Sequence, residues 1–164
     1  LGIVGFGRIG QALAKLAIGA GMKVVFSDIH EDNIDVELSF FDGQSVKVTC
    51  ENVGFDKLLT DSDFISLHVP GGDLIGATEL SKMKDGVYLL NAARGGVINE
   101  EALLEALESG KVAGAGLDVF ANEPKPAIKV LMNGKLSLTP HIGAATLEAQ
   151  DRIGTELANE IEKI

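Results

Sequence analysis

The segment that most constrains the fold is a glycine-rich turn, Gly5-Phe6-Gly7-Arg8-Ile9-Gly10, which joins an apolar run to an amphipathic stretch. The pattern predicts a strand over Leu1 to Val4 and a helix over Arg8 to Ala20, which Gly21 would end. Glycines at this spacing let backbone N–H groups approach a pyrophosphate, with the positive end of the helix dipole behind them. The turn therefore predicts a βαβ unit that binds a dinucleotide.

Asp28 is the second half of this signature, because it ends the next predicted strand, Lys23 to Ser27. A carboxylate there can accept hydrogen bonds from both hydroxyls of an adenosine ribose and would repel a 2′-phosphate. No Arg or Lys lies between Ser27 and Val46 to hold such a phosphate. NAD is therefore favoured over NADP, although Asp28 taken alone could equally be a turn residue or a helix cap.

The rest of the chain alternates short apolar runs with amphipathic stretches, which predicts an α/β, doubly wound parallel sheet of the Rossmann type. Further strands are predicted over Asp63 to Val69, Gly86 to Asn91, Val112 to Val119 and Lys135 to Thr139. Further helices are predicted over Thr78 to Lys84, between Asn99 and Gly110, and after Thr146. A hairpin is expected from the alternation in Val36 to Phe40 and Ser45 to Thr49.

Two helices are predicted to bury an apolar face. The first would bury Ile9, Ala12, Leu13, Leu16 and Ala17, and the last would bury Ala149, Ile153, Leu157 and Ile161.

The charge of the chain excludes two classes of partner. Fourteen Lys and Arg against 24 Asp and Glu give a net charge of −10, which repels nucleic-acid phosphates and anionic membrane surfaces. The single cysteine, Cys50, is expected to be a small buried hydrophobe. With no signal peptide, lipidation motif or apolar run of membrane-spanning length, a cytoplasmic location is favoured. The residues predict no metal site.

Three segments resemble the D-2-hydroxyacid dehydrogenases residue by residue. They are Asn91-Ala92-Ala93-Arg94-Gly95-Gly96, Gly116-Leu117-Asp118-Val119-Phe120 with Glu123-Pro124, and Pro140-His141-Ile142-Gly143-Ala144. Each follows a predicted strand, at the edge where open parallel sheets bind ligands. Together with the glycine-rich turn they extend the resemblance over nearly the whole chain, and they imply an NAD-dependent oxidoreductase.

The resemblance places the catalytic Arg, Glu and His of that family on Arg94, Glu123 and His141. Oxidation of a secondary alcohol requires the hydroxyl proton to leave as the hydride moves to nicotinamide, and imidazole is a suitable base. His141 would be that base, and Glu123 would orient it. Arg94 would bind the substrate carboxylate through its guanidinium fork. Taken alone, Arg94 could also be a surface cation, Glu123 a solvated acid, and His141 a histidine bonded to the backbone.

The same resemblance implies further contacts with the cofactor. Arg8 and Ile9 would lie at the pyrophosphate, and His68, Val69 and Pro70 would lie beside the adenosine. Ala92 and Ala93 would lie near the nicotinamide ribose, and Asp118 would lie at the carboxamide. His141, Gly143 and Ala144 would lie beside the nicotinamide ring. A strand histidine bonded to backbone is an equally good interpretation of His68.

One stretch, Gly143-Ala144-Ala145-Thr146 followed by Glu148-Ala149-Gln150, is similar to the phosphoglycerate dehydrogenases of that family. It implies oxidation of D-3-phosphoglycerate to 3-phosphohydroxypyruvate in serine biosynthesis. Two segments depart from the family. The chain is short after Pro70, with Gly71-Gly72-Asp73, and it is long and strand-like from Asp32 to Val53, where a helix is usual.

Other functions remain open from the sequence. They are an NADH-sensing corepressor of the same fold, a dehydrogenase for another D-2-hydroxyacid, and an NAD-binding domain of other chemistry, such as adenosylhomocysteine hydrolysis. Both ends fall inside predicted elements, so residues 1–164 are expected to form the dinucleotide-binding domain of a two-domain enzyme, largely without its substrate domain. The family implies a small-molecule 2-hydroxyacid substrate and a homo-oligomer.

Overall fold

The computed structural model describes residues 1–30 and 32–163, which are built around an eight-stranded sheet. The strands are β1 (Gly2–Val4), β2 (Val25–Ser27), β3 (Ile34–Ser39), β4 (Ser45–Asn52), β5 (Phe64–Leu67), β6 (Val87–Asn91), β7 (Val112–Leu117) and β8 (Leu136–Leu138). Their order in the sheet is β3-β4-β2-β1-β5-β6-β7-β8. Neighbouring strands are parallel, except for the antiparallel pair of β3 and β4. The predicted doubly wound α/β fold is confirmed.

Helices form most of the connections, as parallel pairing requires. They are α1 (Arg8–Gly19), α2 (Phe55–Asp61), α3 (Ala77–Lys82), α4 (Glu100–Ser109), α5 (Ile128–Leu131) and α6 (Leu147–Ile161). The predicted caps are present. The side chains of Asn99 and Thr146 accept hydrogen bonds from backbone N–H groups of α4 and α6, and Gly110 ends α4 with a φ of +81°. The sequence pattern did not indicate α2 or α5.

The core lies on both faces of the sheet. Ile3 and Val4 are consecutive in β1 and belong to different apolar clusters, so the clusters lie on opposite faces. The larger cluster contains buried leucines of α2 and α4, and the smaller one lies under α1. In the smaller cluster Phe6 and Phe26 stack with ring centroids 3.9 Å apart. Cys50 is buried there, as predicted.

The predicted apolar face of α1 is only partly correct, because Ala17 is buried and Leu13 is half-buried, but Ile9, Ala12 and Leu16 are exposed. Ile9 and Leu16 are 71% and 75% exposed, whereas the buried residues of the helix are Gly10, Ala14 and Ala17. The reason is the close approach of α1 to the first turn, where a Cβ on Gly10 would lie 2.4 Å from a backbone oxygen. A helix held this close packs through a narrow stripe of small residues rather than a wide apolar face.

Two apolar surfaces stay open to solvent in the described part of the chain. The residues of α6 predicted to pack, Ile153, Leu157 and Ile161, are 57% to 61% exposed. On the sheet, the rings of Phe64 and Tyr88 stack 5.2 Å apart and remain 39% and 45% exposed. The predicted burial of the α6 face is therefore not observed.

The predicted hairpin is confirmed and extends the sheet beyond β2. Asp42 and Gly43 form its turn, in which Gly43 has a φ of +85° and the Gln44 N–H donates to the Asp42 carboxylate. β4 pairs with β2, and the Asn52 side chain donates to the backbone oxygen of His30 at 2.6 Å. The hairpin is thus attached to the loop that follows Asp28.

Within the described ranges, none of the helices combines the length and the apolar character needed to cross a bilayer.

A buried leucine of α4 and an exposed leucine of α1 give a matched test of stability. Leu107 is fully buried in α4, whereas Leu16 is 75% exposed on α1. Leu107→Ala should lower the free energy of unfolding by about 2–5 kcal/mol, because it leaves a cavity. Leu16→Ala should change it by no more than about 0.5 kcal/mol. Urea unfolding of both variants measures the difference, and equal losses would contradict the described packing of α1.

Candidate active site

The glycine-rich turn connects β1 to α1 at the carboxyl edge of the sheet. Gly5 has a φ of +87°, and a Cβ there would lie 2.6 Å from the His68 carbonyl oxygen, so only glycine fits. A Cβ on Gly7, in contrast, would meet open space. The turn therefore leaves room at the amino end of α1, where the helix dipole and free N–H groups favour an anion. These residues fit a pyrophosphate.

Asp28 lies against this turn, as the predicted ribose site requires. Its carboxylate accepts the Phe6 N–H at 2.5 Å and the His30 N–H at 3.3 Å. Partial burial would by itself raise the pKa of Asp28, but the backbone N–H donors, that of Phe6 first, bring the pKa below its usual value. Asp28 is therefore ionised at neutral pH, so it can accept bonds from hydroxyls and repel a phosphate.

A cavity of about 930 Å³ opens beside Asp28 and has the size expected for part of a dinucleotide. Its lining consists of Val4, Gly5, Gly7, Ser27, Asp28, Ile29, Asn52, Val53, Gly54, Phe55, His68, Val69, Pro70 and Leu74. The structure thus brings the glycine turn, the candidate ribose carboxylate and the segment after β5 into one cavity. The hairpin contributes Asn52, which the sequence did not suggest.

His68 has a side-chain partner rather than the backbone partner considered from the sequence. Its Nε2 lies 2.9 Å from Oγ of the buried Ser66. Burial lowers the pKa of His68, which favours a neutral ring. His68 therefore contributes to the cavity wall and, through its carbonyl oxygen, fixes the position of Gly5.

Arg8 and Ile9 lie at the amino end of α1, as predicted for residues near a pyrophosphate. The Arg8 guanidinium pairs with the Glu156 carboxylate of α6 at 2.5 Å. The two side chains are 83% and 45% exposed, and an ion pair this exposed contributes little to stability. Arg8 can therefore exchange Glu156 for another anion at small cost.

Arg94 belongs to a turn that follows β6. The Asn91 side chain accepts the Ala93 N–H at 3.1 Å and donates to the Arg94 carbonyl oxygen at 3.0 Å, which closes the turn. Ala93 is buried, whereas Ala92 and Arg94 are exposed. The Arg94 guanidinium donates to the Ala93 carbonyl oxygen at 2.6 Å. One N–H group of the guanidinium is thus bonded within the Arg94 turn, and most of its N–H groups are left for a ligand.

Gly95 brings this turn against the segment that carries Glu123. A Cβ on Gly95 would lie 1.9 Å from the Phe120 carbonyl oxygen, so no other residue fits without moving one of the two segments. The sequence alone did not indicate this role for Gly95. The only signal for it was the pair of glycines that follows Arg94.

His141 and Glu123 form a hydrogen-bonded pair. Nδ1 of His141 lies 2.6 Å from Oε2 of Glu123, although the residues are 18 apart in sequence. The other oxygen, Oε1, accepts the Phe120 N–H at 2.9 Å. The contact with His141, followed by that with Phe120, lowers the pKa of Glu123. The predicted pairing of these two residues is present.

The pair borders a cavity of about 440 Å³ beside the end of β8. Its lining consists of Phe120, Glu123, Pro124, Pro126, Leu131, Leu138, Thr139, Pro140 and His141. Mostly apolar side chains thus border one imidazole and one carboxylate, and the His141 and Glu123 side chains remain 48% and 33% exposed.

Asp118 follows β7 and is 8% exposed. Its carboxylate accepts hydrogen bonds from the Thr139 hydroxyl at 2.5 Å and from the Ile142 and Gly143 N–H groups at 2.9 Å each. Burial, the largest influence, would raise the pKa of Asp118, but these donors and the nearby His141 bring the pKa below its usual value. Thr139 was not predicted as a site residue.

Gly143 and Ala144 lie in the turn closed by the Ala145 N–H and the Ile142 carbonyl oxygen.

The fold and these residues define a dinucleotide-binding domain with a hydrogen-bonded His141–Glu123 pair at the carboxyl edge of its sheet. Residues 1–143 match the family model described as "D-isomer specific 2-hydroxyacid dehydrogenase, NAD binding domain". The chain therefore belongs to the NAD-binding domains of the D-isomer-specific 2-hydroxyacid dehydrogenases, and NAD is its cofactor.

Individual relatives agree with this assignment. The chain is 45% identical to a hydroxypyruvate reductase of Thermotoga maritima, over 99% of this chain and 52% of that protein. It is 38% identical to a D-3-phosphoglycerate dehydrogenase of Synechocystis, over 100% of this chain and 29% of that protein. The crystal structure of a glyoxylate reductase from Paecilomyes thermophila superposes with a TM-score of 0.82 at 40% identity, over 98% of this chain and 47% of that one. The chain spans about half the length of the first of these relatives.

The position of Asp28 gives a direct test of cofactor choice. Asp28→Asn keeps an oxygen for the Phe6 N–H but removes the charge, so it should weaken NAD by about tenfold, the cost of losing a charge-assisted hydrogen bond. Discrimination against NADP should relax, because the repulsion of the 2′-phosphate disappears. Calorimetric titration with both nucleotides measures the two effects.

Asp42→Asn, in the exposed turn of the hairpin, is the matched control and should bind both nucleotides as the parent chain does. An unchanged preference in Asp28→Asn would remove Asp28 from the ribose site.

Proposed function

We propose that the protein is an oxidoreductase that transfers a hydride between NAD and a small D-2-hydroxyacid. The observation that carries the proposal is the 2.6 Å contact between His141 Nδ1 and Glu123 Oε2. The pair follows β7 and β8, and the glycine turn follows β1, so parallel pairing puts both on the same edge of the sheet. NAD, when bound, supplies the acceptor of the hydride in oxidation and its donor in reduction.

The hydrogen bond of the pair assigns a role to each nitrogen of the ring. Glu123 is ionised at neutral pH, because its pKa is lowered, and an ionised carboxylate only accepts. Nδ1 of His141 must therefore carry the hydrogen that lies between the two residues. Nε2 is then the nitrogen that takes the hydroxyl proton during alcohol oxidation and returns it during reduction.

Arg94 is proposed to bind the substrate carboxylate. Its side chain is exposed at the edge that carries the acid/base pair, and Gly95 packs the Arg94 turn against Phe120, three residues from Glu123. A guanidinium fork binds a carboxylate through two parallel hydrogen bonds, which fixes the orientation of the substrate as well as its position.

A small uncharged substituent on the hydroxyacid suits the cavity beside the pair. Its lining, all of it described, contains the Glu123 carboxylate and no Lys or Arg. A phosphate there would meet this carboxylate and the acidic surface of the chain, which carries a net charge of −10. Hydroxypyruvate and glyoxylate, which name two of the relatives, fit this chemistry.

D-3-phosphoglycerate is the second candidate substrate. The observation that favours it is the stretch from Gly143 to Gln150, which is similar to that of phosphoglycerate dehydrogenases. Relatives of that name are 38% to 40% identical to this chain. With this substrate, the phosphate would have to bind outside the cavity beside the pair.

The full-length protein should oxidise NADH with hydroxypyruvate or glyoxylate at a higher kcat/KM than with 3-phosphohydroxypyruvate. His141→Ala should lower kcat by about 10²- to 10⁴-fold, the usual contribution of a positioned acid or base. NAD affinity should stay nearly unchanged, because the glycine turn and Asp28 are intact. Turnover is followed at the nicotinamide absorbance. Near-normal turnover of His141→Ala, or no turnover of the parent with any of the three oxoacids, would overturn the proposal.

The charge of Glu123 should be visible in the pH profile. Oxidation needs the neutral imidazole. The hydrogen bond with His141 lowers the pKa of Glu123, so a charged carboxylate lies beside the ring at neutral pH, and a negative charge close to a cation opposes the loss of its proton. Glu123→Gln should therefore move the acidic limb of the oxidation profile to lower pH and reduce kcat. Glu101→Gln removes a glutamate that pairs with Lys129 on the surface, and it should leave the limb in place. A limb that does not move in Glu123→Gln would separate Glu123 from the acid/base unit.

A further inference from the structure

His141 has an unusual backbone conformation. Its φ is +56°, the left-handed region, which is costly for a residue with a side chain. Every other positive φ in the described ranges belongs to a glycine. The ring of His141 reaches Glu123 from this conformation. Something in the neighbouring structure must therefore hold the backbone there.

The Asp118 carboxylate holds the chain on both sides of His141. It accepts the hydroxyl of Thr139, two residues before the histidine, and the N–H groups of Ile142 and Gly143, one and two residues after it. The distances are 2.5, 2.9 and 2.9 Å. Gly143 fits closely, since a Cβ there would lie 3.0 Å from the carboxylate. Three bonds to one buried, ionised group fix this loop more firmly than bonds to a neutral acceptor would.

We propose that Asp118 and Thr139 are positioning residues, which hold His141 in its left-handed conformation and so align its ring with Glu123. The inference rests on the proposed role of His141 as acid and base. It also changes the role that family resemblance implied for Asp118, because three hydrogen bonds from the loop already occupy most of the acceptor sites of its carboxylate. A carboxylate so occupied serves the geometry of the acid/base pair before it serves the carboxamide of the cofactor.

Thr139→Val is the sharpest test, because it removes the hydroxyl with little change of shape at an exposed position. In the full-length protein we expect kcat to fall by about 10- to 100-fold, as for a small misplacement of a reacting group. The acidic limb of the oxidation profile should move to lower pH, in the same direction as in Glu123→Gln, because the ring loses its contact with the carboxylate. Thr139→Ser restores the hydroxyl and should restore both properties.

Thr49→Val is the matched control, because it removes a hydrogen bond of the same type. In the hairpin, the Thr49 hydroxyl donates to the Asp35 carboxylate at 2.7 Å, at the opposite end of the strand order from β8, which His141 follows. This variant should keep the kcat and the pH profile of the parent. A general effect of losing a Thr–Asp bond on stability would appear in both variants, whereas a positioning effect appears only in Thr139→Val.

Asp118→Asn separates positioning from cofactor binding. The amide keeps one acceptor oxygen but offers an NH₂ group to one of the three donors, so the loop is only partly held. Positioning predicts a lower kcat with NAD affinity within about twofold of the parent. Weaker NAD binding with an unchanged kcat would overturn the inference in favour of the carboxamide role. If His141→Ala is inactive, an unchanged kcat and an unchanged acidic limb in Thr139→Val would also overturn the inference. If His141→Ala is active, the proposed function itself has failed.

Discussion

Parallel pairing brings the carboxyl ends of β1, β5, β6, β7 and β8 to a single edge of the sheet. The segments that follow these strands carry the glycine turn, His68, Arg94, Asp118 and His141. Residues more than 130 positions apart in sequence thus lie at one edge of the sheet. The exact positions then depend on close backbone approaches, such as those that admit only glycine at positions 5 and 95.

Carboxylates do much of the local positioning. Asp28 and Asp118 each accept at least one backbone N–H from another loop, and Glu123 accepts one from Phe120 in its own loop. These donors help to keep the pKa values of the three groups below their usual range, so that each is ionised at neutral pH. In a chain of net charge −10, these three ionised carboxylates repel anions from the places where they lie. Anionic parts of ligands are left with the amino end of α1 and the Arg94 fork, where local donors outweigh the global field.

Features encoded in short segments could be predicted from the sequence. The parallel sheet of alternating strands and helices, the Asn99 and Thr146 caps and the hairpin around Gly43 all follow from local sequence patterns. Features that depend on the distance between segments could not be predicted from the sequence. Burial on α1 is decided by how closely the helix approaches the turn, which made Ile9 an exposed residue. Thr139 and Gly95 gain their roles only from partners 21 and 25 residues away, across the sheet edge.

β8 is three residues long and has β7 as its sheet neighbour on one side only, so it lies at an edge of the sheet. Edge strands of this length open at a lower free energy than the interior, by local unfolding rather than by loss of the whole fold. His141 follows this strand and is therefore attached to a short strand with one sheet neighbour. The bonds from its loop to Asp118, which is buried at the end of β7, connect that strand to the interior of the sheet. Chemical competence and local stability are thus coupled through one carboxylate, and the site can lose its geometry while the rest of the sheet stays folded.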